Sequence, residues 1–363
     1  MLNLESNWIL LPSCMDSSNN LLDRIRGMFA AHHLGDALGA PHEFYKWNRN
    51  TVYTGKLEIE PFRRGGSRYK QEDIRHPVGS VTDDTHMTIA LLRSILDKGE
   101  YDFENTVVEY TNWVHSGTKE IGVNTGYIFK NETLKGYYLR VARRDREIEA
   151  GTMRVSLSNG PLMRCTPLAL LDNWSDAAIE DVKMTNPYIE SICINLIYLF
   201  ILREALSGAS ADKLVSIAYS AVRVLTDHPE LHELYNVCML ALNNEQDVDI
   251  SGKDKGLGRY ALYCALRGLV LLATGQSYAA IIRWIITQGT DTGKGDTDTN
   301  AAIAGGLLGA ILGYDKLMQS ERTRQNWTVL IEAARDVTGK LSDYVPYDYD
   351  ELCEEYYELV KKQ

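Results

Sequence analysis

The chain has 363 residues, enough for one large domain or two ordinary ones with a substantial buried core. Its 45% hydrophobic and 24% charged residues are typical of a soluble globular protein. The formal net charge of −11 argues against nonspecific binding to nucleic acid or anionic lipid, because both require clustered cations. Six cysteines without CxxC or zinc-finger spacing favour buried, reduced thiols over disulfides.

Residues 1–20 are expected to form a flexible polar arm, since they end in SSNN and lack the basic region of a signal peptide. The apolar run 301–313 has 13 residues, whereas a membrane-spanning helix needs roughly 20. We therefore expect a cytoplasmic protein, with the nucleus as the alternative, and no membrane partner.

Helical periodicity dominates from Leu21 onward, and alternating strand patterns are scarce. Segments 45–79 and 120–159 are rich in glycine, proline and charge and are predicted as loops; the length of the second indicates local order or function. The sequence predicts an all-α fold, a compact orthogonal bundle of many helices forming a single domain over residues 21–363. The predicted helices are 21–39, 84–98, 103–116, 189–206, 211–225, 258–273, 278–288, 298–312, 320–337 and 349–361.

Two stretches share one design: VTDDTHMTIALL (81–92) and KGDTDTNAAIAGGLL (294–308) each place acidic and threonine side chains directly before a helix. Helix capping explains one such side chain, because threonine and aspartate are good N-caps. It does not require neighbouring carboxylates in both stretches. The patterns of a P-loop, an EF-hand, an HExxH zinc site and a GxSxG elbow do not match.

The four aspartates of these stretches, Asp83, Asp84, Asp296 and Asp298, would repel one another if they converged. Two carboxylates ~4 Å apart repel by roughly 4 kcal/mol at an effective dielectric constant near 20. Such a site requires cations. Because aspartate and threonine oxygens are hard ligands, Mg²⁺ or Mn²⁺ is favoured over zinc.

The helix behind the second stretch carries small residues at every fourth position, namely Ala301, Gly305, Gly309 and Gly313. Each glycine weakens an isolated helix by about 1 kcal/mol relative to alanine. The stripe therefore predicts that another helix approaches closely. That packing would hold the acidic N-terminus of this helix at the mouth of the bundle.

Four segments, in this order, resemble the ADP-ribosylglycohydrolase family, which includes the dinitrogenase-reductase-activating glycohydrolases: GDALGAPHEF (35–44), VTDDTHMT (81–88), SNGPLMR (158–164) and GDTDTNAAIAGGLLGAILG (295–313). The resemblance implies an all-α fold with a central cleft that holds two Mg²⁺ or Mn²⁺ ions. It also implies hydrolysis of the bond between the anomeric carbon of ADP-ribose and an acceptor, with arginine favoured over serine. We expect a monomer that acts on an ADP-ribosylated protein or a small ADP-ribose conjugate and does not bind nucleic acid.

Carried over by the resemblance, one metal would be bound by Thr82, Asp83, Asp84 and Asp298, and the other by Glu43, Asp296, Asp298 and Thr299. Among these, the residues predicted to act in catalysis are Glu43, Asp83, Asp84 and Asp298. Glu43 follows the first helix and is also a candidate base.

The residues predicted to bind substrate are Ser158, Asn159, Gly160, Arg164, Glu120 and Gly122. Three positions depart from the family pattern: Glu120 stands where aspartate is common, Asn186 follows Thr185 where histidine is common, and Lys294 stands where glycine is often found before GDTDT. Two other functions stay open at this stage. One is a non-catalytic ADP-ribose-binding or crystallin-like protein on the same scaffold, and the other is a hydrolase of a different ADP-ribose-like nucleotide.

Overall fold

The structure, a computed structural model, describes residues 20–43, 56–64, 74–245, 257–290 and 295–363, so the predicted arm lies almost entirely outside the described residues. The prediction of an all-α fold is confirmed. The helices are α1 (Leu21–Gly39), α2 (Asp83–Lys98), α3 (Phe103–Val114), α4 (Val123–Phe129), α5 (Leu134–Glu149), α6 (Gly160–Arg164), α7 (Trp174–Thr185), α8 (Ile189–Leu206), α9 (Ala211–Arg223), α10 (His232–Leu242), α11 (Gly258–Ala273), α12 (Tyr278–Thr290), α13 (Thr297–Leu312), α14 (Tyr314–Leu317), α15 (Glu321–Arg335) and α16 (Tyr349–Val360).

Two short strands, β1 (Phe62–Arg64) and β2 (Ile74–His76), pair antiparallel with Phe62 opposite His76. Single turns of 3₁₀ helix lie at Ala40–His42, Thr166–Leu168, Val224–Asp227, Pro229–Leu231 and Gly339–Tyr344. Within the parts of the chain that the structure describes, no helix combines the length and apolar character needed to cross a membrane.

The prediction of a loop over 120–159 is wrong, because α4 and α5 lie there. In α5 only Tyr137 and Arg144 are fully buried. The helix therefore has too few buried apolar residues for a helical period to be recognisable in the sequence. Thr133 caps the helix by accepting a hydrogen bond from the Gly136 N–H at 3.1 Å. Helices α6, α7 and α10 were also not predicted, nor was the strand pair within 45–79.

The centre of the molecule is an antiparallel pair of helices, α1 and α13, in direct backbone contact. A Cβ atom added at Gly309 would lie 2.0 Å from the carbonyl oxygen of Gly27, and one added at Gly305 would lie 2.3 Å from that of Ala31. No side chain fits between helices at this separation. The predicted close approach of a second helix to the small-residue stripe is confirmed, and that helix is α1.

The same contact continues to the other end of the pair. A Cβ at Gly35 would lie 2.2 Å from the Ala301 carbonyl oxygen, and a Cβ at Gly39 would lie 2.5 Å from the Asp298 Cα. The C-terminal end of α1 therefore touches the N-terminal end of α13. Polar side chains at the C-terminal end of α1 and at the N-terminal end of α13 therefore lie close together.

Buried tyrosines fix the surrounding helices to this pair. Tyr198 of α8 donates a hydrogen bond to the Ile303 carbonyl at 2.9 Å, and Tyr278 of α12 donates to the Ala31 carbonyl at 3.2 Å. In the tyrosine-rich C-terminal segment, the Tyr356 ring of α16 packs edge-on against Phe29 of α1, with ring centroids 5.9 Å apart. The carbonyls are satisfied within the core, so the pair is enclosed without orphaned polar groups at these positions.

Replacing Gly309 by alanine should destabilise the protein by about 2–4 kcal/mol, since the new methyl group would meet the α1 backbone, which cannot yield as a side chain can. Gly268→Ala in α11 is the matched control. There the nearest atom is the terminal Ile281 Cγ2 at 3.3 Å, and alanine favours the helix. Urea unfolding of both variants measures the difference. Equal midpoints for Gly309→Ala and wild type would contradict the close contact.

Candidate functional site

Asp36, on α1, caps the N-terminus of α2 from outside that helix. Its carboxylate accepts hydrogen bonds from the Thr82 N–H at 3.0 Å and hydroxyl at 2.8 Å, and from the Thr85 N–H at 3.2 Å and hydroxyl at 2.6 Å. Burial raises its pKa to about 6, and the hydrogen bonds from Thr85 and Thr82 offset part of that rise. Sequence reasoning missed Asp36, although a lone acid within the small, apolar GDALGA run was a usable signal.

Asp84, in the first turn of α2, lies between α2 and α13. Its Oδ2 accepts a hydrogen bond from the Thr299 hydroxyl at 3.3 Å and lies 3.0 Å from the Thr82 hydroxyl, while its buried Oδ1 has no hydrogen-bond partner among the described residues. Burial and the charges of Asp36 and Asp298 raise its pKa well above the ordinary value. A buried carboxylate oxygen without a hydrogen-bond donor can serve as a ligand for a cation.

Asp83 connects the cluster to the segment before α4. Its Oδ2 accepts a hydrogen bond from the Gly122 N–H at 3.1 Å. Burial raises its pKa to about 6, with a further contribution from the charge of Glu120. The Glu120 Oε1 lies 3.1 Å from the His76 Nε2, and the His76 ring stacks on Phe62 at 4.2 Å. The strand pair thus positions a group beside the cluster, which sequence reasoning did not foresee.

The N-terminus of α13 supplies the other half of the cluster. Ligand atoms of Glu43, Asp296 and Asp298 all lie within 4.8 Å of one another, as do those of Asp36, Asp84 and Asp298. Asp298 belongs to both groups. Burial, then the charge of Asp298, raises the pKa of Asp296 to about 7. The donor set is all oxygen, so the acidic groups could hold a hard divalent cation.

The side chain of Thr297 contacts α1 rather than the acidic groups. Its hydroxyl donates to the Gly39 carbonyl at 2.8 Å, toward the end of α1. This bond joins the two central helices at the point where the acidic residues begin. Thr297 is therefore part of the helix contact, whereas its neighbours Asp296 and Asp298 face the acidic groups.

The predicted substrate-binding segment adjoins the cluster through Asn159, whose amide donates to the Asp296 Oδ2 at 2.9 Å. Ser158 forms an isolated β-bridge with Leu257, and Gly160 begins α6. Asn186 donates to the Ser158 carbonyl at 3.1 Å, so this departure from the family pattern shapes the segment.

Arg164 is fully buried and ion-paired, with its Nε 2.9 Å from the Asp181 Oδ2. Its guanidinium also lies over the Tyr110 ring, 4.9 Å from the centroid, and reaches the Gly160 carbonyl at 3.4 Å. These contacts tie Arg164 to the protein interior. The expectation that it binds substrate stays a prediction, as do the substrate roles of the neighbouring residues.

A family model described as ADP-ribosylglycohydrolase matches residues 17–346. The chain belongs to the ADP-ribosylglycohydrolase family. It is similar to a protein of Acanthamoeba polyphaga mimivirus provisionally named ADP-ribosyl glycohydrolase L543, with 27% identity over 81% of this chain and 88% of that protein. It is also similar to the ADP-ribosyl-[dinitrogen reductase] glycohydrolase of Rhodospirillum rubrum, with 25% identity over 88% of this chain and 96% of that enzyme.

A third relative is the ADP-ribosylarginine hydrolase Tri1 of Serratia proteamaculans, which is 22% identical over 88% of this chain and 82% of its own length. Among solved structures, a chain described as an ADP-ribosylglycohydrolase-related protein complex matches with a TM-score of 0.61 and 22% identity, over 94% of this chain and all of that one. That likeness shows the ADP-ribosylglycohydrolase fold. The family and the names of its relatives identify the chain as an enzyme, an ADP-ribosylglycohydrolase.

In a chelator, the contribution of the acidic cluster to stability should fall as the pH rises from 5 to 8, while the buried His32, His42 and His86, whose pKa burial lowers to about 4, contribute in the opposite direction. Carboxyl groups whose pKa is raised by folding stabilise the folded state while protonated, and this contribution is lost as the pH passes about 6 for Asp83 and about 7 for Asp296. Thermal unfolding in EDTA across this range measures the effect. The histidines titrate in both proteins, so the melting temperature of the wild type minus that of Asp296→Asn should fall as the pH rises through about 7. A difference that stays constant or grows with pH would contradict the raised pKa of Asp296.

Proposed function

We propose that the enzyme hydrolyses the glycosidic bond between ADP-ribose and an arginine side chain of a modified protein, with divalent metal as cofactor. The observation that carries the proposal is the shared position of Asp298, whose carboxylate belongs to both groups of closely spaced acidic ligands. The relative named for ADP-ribosylarginine supports arginine as the acceptor, and the relative named for ADP-ribosylated dinitrogen reductase supports a modified protein as the substrate. ADP-ribosylserine is the alternative substrate.

We propose two cation positions, for Mg²⁺ or Mn²⁺, that share Asp298. Glu43, Asp296 and Thr299 would complete one position, and Thr82, Asp83 and Asp84 the other. The spacing of Glu43, Asp296 and Asp298 supports the position completed by Glu43. The buried Asp84 Oδ1, which has no hydrogen-bond partner among the described residues, supports the position completed by Asp84. Asp36 lies as close as a ligand would, but four hydrogen bonds already occupy its oxygens. We therefore give Asp36 a positioning role.

When bound, divalent cations supply positive charge that orients the ribose hydroxyls and lowers the pKa of a water molecule. The protein's own groups supply positioning and proton transfer. Asn159 holds the Asp296 carboxylate in one orientation. Glu43, after the 3₁₀ turn at Ala40–His42, accepts the proton of the attacking water.

In that step the water oxygen bonds to the anomeric carbon while the bond from this carbon to the arginine nitrogen breaks, through an oxocarbenium-like state. The proton from water passes through Glu43 to the departing guanidine, which leaves as arginine. The acidic cluster faces the developing positive charge of the sugar ring. Carboxylates near that ring stabilise the transition state more than the ground state.

The direct test is hydrolysis of a substrate panel: ADP-ribosylarginine, ADP-ribosylserine, other ADP-ribose conjugates and free nucleotides. ADP-ribosylarginine should be cleaved to ADP-ribose and arginine with Mg²⁺ or Mn²⁺. Exhaustive chelation should abolish turnover, and added metal should restore it, because the buried carboxylates need a counter-charge. Full activity in protein that elemental analysis shows to be free of metal would refute the metal requirement. Preferential cleavage of ADP-ribosylserine would reassign the acceptor.

Asp298→Asn should lower kcat/KM by more than the 10–100-fold that loss of a residue supporting a metal ligand typically costs, because it removes an anionic oxygen from both proposed positions. The matched variant is Thr297→Ala, which removes only a hydrogen bond to Gly39, worth about 1 kcal/mol of stability. Turnover and metal affinity are measured for both, with metal-free melting as the structural control. Wild-type turnover in Asp298→Asn, or a larger loss in Thr297→Ala, would contradict the assignment.

A further inference from the structure

An exposed surface made of apolar and cationic side chains lies beside the cleft. Val123 directly follows Gly122, the residue that contacts Asp83, and is 76% exposed. One turn further along α4, Tyr127 lies under the guanidinium of Arg140 from α5, 5.0 Å from the ring centroid. On α5 itself, Leu139 is 63% exposed. We define the α5 face as the exposed residues Lys135, Tyr138, Leu139, Ala142, Arg143, Arg146 and Glu149.

The charge of this helix is opposite to that of the chain. Helix α5 contains five cationic and three anionic residues, whereas the whole chain has a formal net charge of −11. Two of the three acids are already ion-paired within the helix: Glu147 lies 2.8 Å from Arg143, and Asp145 lies 2.8 Å from Arg144. The α5 face itself carries three cations and one acid, Glu149, so its net charge is positive in a chain whose net charge is negative.

We infer that Val123 and the α5 face dock an acidic, partly apolar segment of the ADP-ribosylated protein whose modified side chain occupies the cleft. The inference rests on the proposed function. Exposed Leu139 and Val123 favour a polypeptide over an RNA, since RNA binding uses cations and stacking aromatics rather than aliphatic side chains. Aliphatic area with surrounding cations matches a segment in which hydrophobic residues alternate with aspartate or glutamate.

The geometry also fixes where the acids should lie along the substrate. Tyr127 is four residues, or about 6 Å, along α4 from Val123, and it contacts both Arg140 and Glu147 of α5, so the α5 face lies roughly that far or further from the cleft. An extended peptide advances about 3.3 Å per residue. Acidic residues should therefore act when placed about two or more positions from the modified arginine, and not when they are adjacent to it.

The test compares three synthetic substrates: free ADP-ribosylarginine, an ADP-ribosylarginine peptide with acids and leucine three to six positions away, and the same peptide with the acids amidated. The acidic peptide should have a kcat/KM about tenfold above that of the amidated one at low ionic strength, and salt should shrink this gap. In the triple variant Lys135→Glu/Leu139→Ser/Arg146→Glu, the two peptides should have the same kcat/KM because KM for the acidic peptide rises. The kcat and the hydrolysis of free ADP-ribosylarginine should be unchanged. Lys213→Glu/Arg223→Glu on α9 is the charge-matched control.

A gap that survives the triple substitution, or that the α9 control also abolishes, overturns the inference. If the triple variant does not fold, Leu139→Ser and Arg146→Gln are tested singly, each with an expected threefold or greater rise in KM for the acidic peptide.

If no ADP-ribosyl compound is cleaved, the proposed function fails, and docking is then judged from fluorescence anisotropy of the unmodified acidic peptide. Binding that the triple substitution removes supports the surface. Absence of binding to the wild type, or tighter binding of single-stranded RNA to the same face, overturns it.

Discussion

The structure depends on one contact, the backbone-to-backbone packing of α1 against α13. Small residues spaced four apart on both helices leave no side chain between them, so the pair has a fixed, short separation. A shift by one turn would still match small residues, but it would move Asp298 away from the end of α1. The hydrogen bond from the Thr297 hydroxyl to the Gly39 carbonyl is one of the contacts made in the observed register.

The acidic cluster is assembled from helix ends rather than from a loop. The N-terminus of α2 is held to α1 by Asp36, and it is held to α13 by the hydroxyl of Thr299, which reaches Asp84. Three helices thus meet at one point: side-chain hydrogen bonds join α2 to α1 and to α13, and the Thr297 hydroxyl joins α13 to the Gly39 carbonyl of α1. Because the unpaired N–H groups at helix ends carry partial positive charge, they offset some of the repulsion among the carboxylates. Burial first, and the remaining repulsion second, raise the pKa values of Asp83 and Asp296.

The sequence predicted those helices and motifs that can be recognised from residues near one another in the chain. Helices with a broad apolar face were located to within a few residues, and the acidic stretches were recognised because neighbouring carboxylates exceed what capping requires. The close packing of α13 followed from the energetic cost of its glycines. The missed helix α5 has few buried residues, so its fold depends on tertiary contacts such as the stacking of Tyr137 on Phe129.

Asp36 was not identified for a related reason. Its role requires knowing that α1 and the start of α2 are adjacent, and nothing in the spacing of GDALGA and VTDDT along the chain reveals that adjacency. Arg164 illustrates the converse case. A lone arginine beside a predicted ligand-binding turn suggests an anion contact, yet its buried partner Asp181 lies 17 residues further along, on α7. The position of a long side chain is set by three-dimensional neighbours, and a single sequence does not contain them.

The pairing of α1 with α13 also has a consequence for the order in which the protein can form during synthesis. The partners in this contact, such as Ala31 and Gly305, are about 270 residues apart in the chain. At 5–20 residues per second, roughly 15–50 s pass between the emergence of the first helix and that of its partner. During this interval the glycine-containing face of α1 cannot pack against α13, and the carboxylates of Asp83 and Asp84 lack the neighbouring residues that α13 supplies. A nascent chain therefore cannot act prematurely, but it depends on other contacts, or on a chaperone, to shield its first helix.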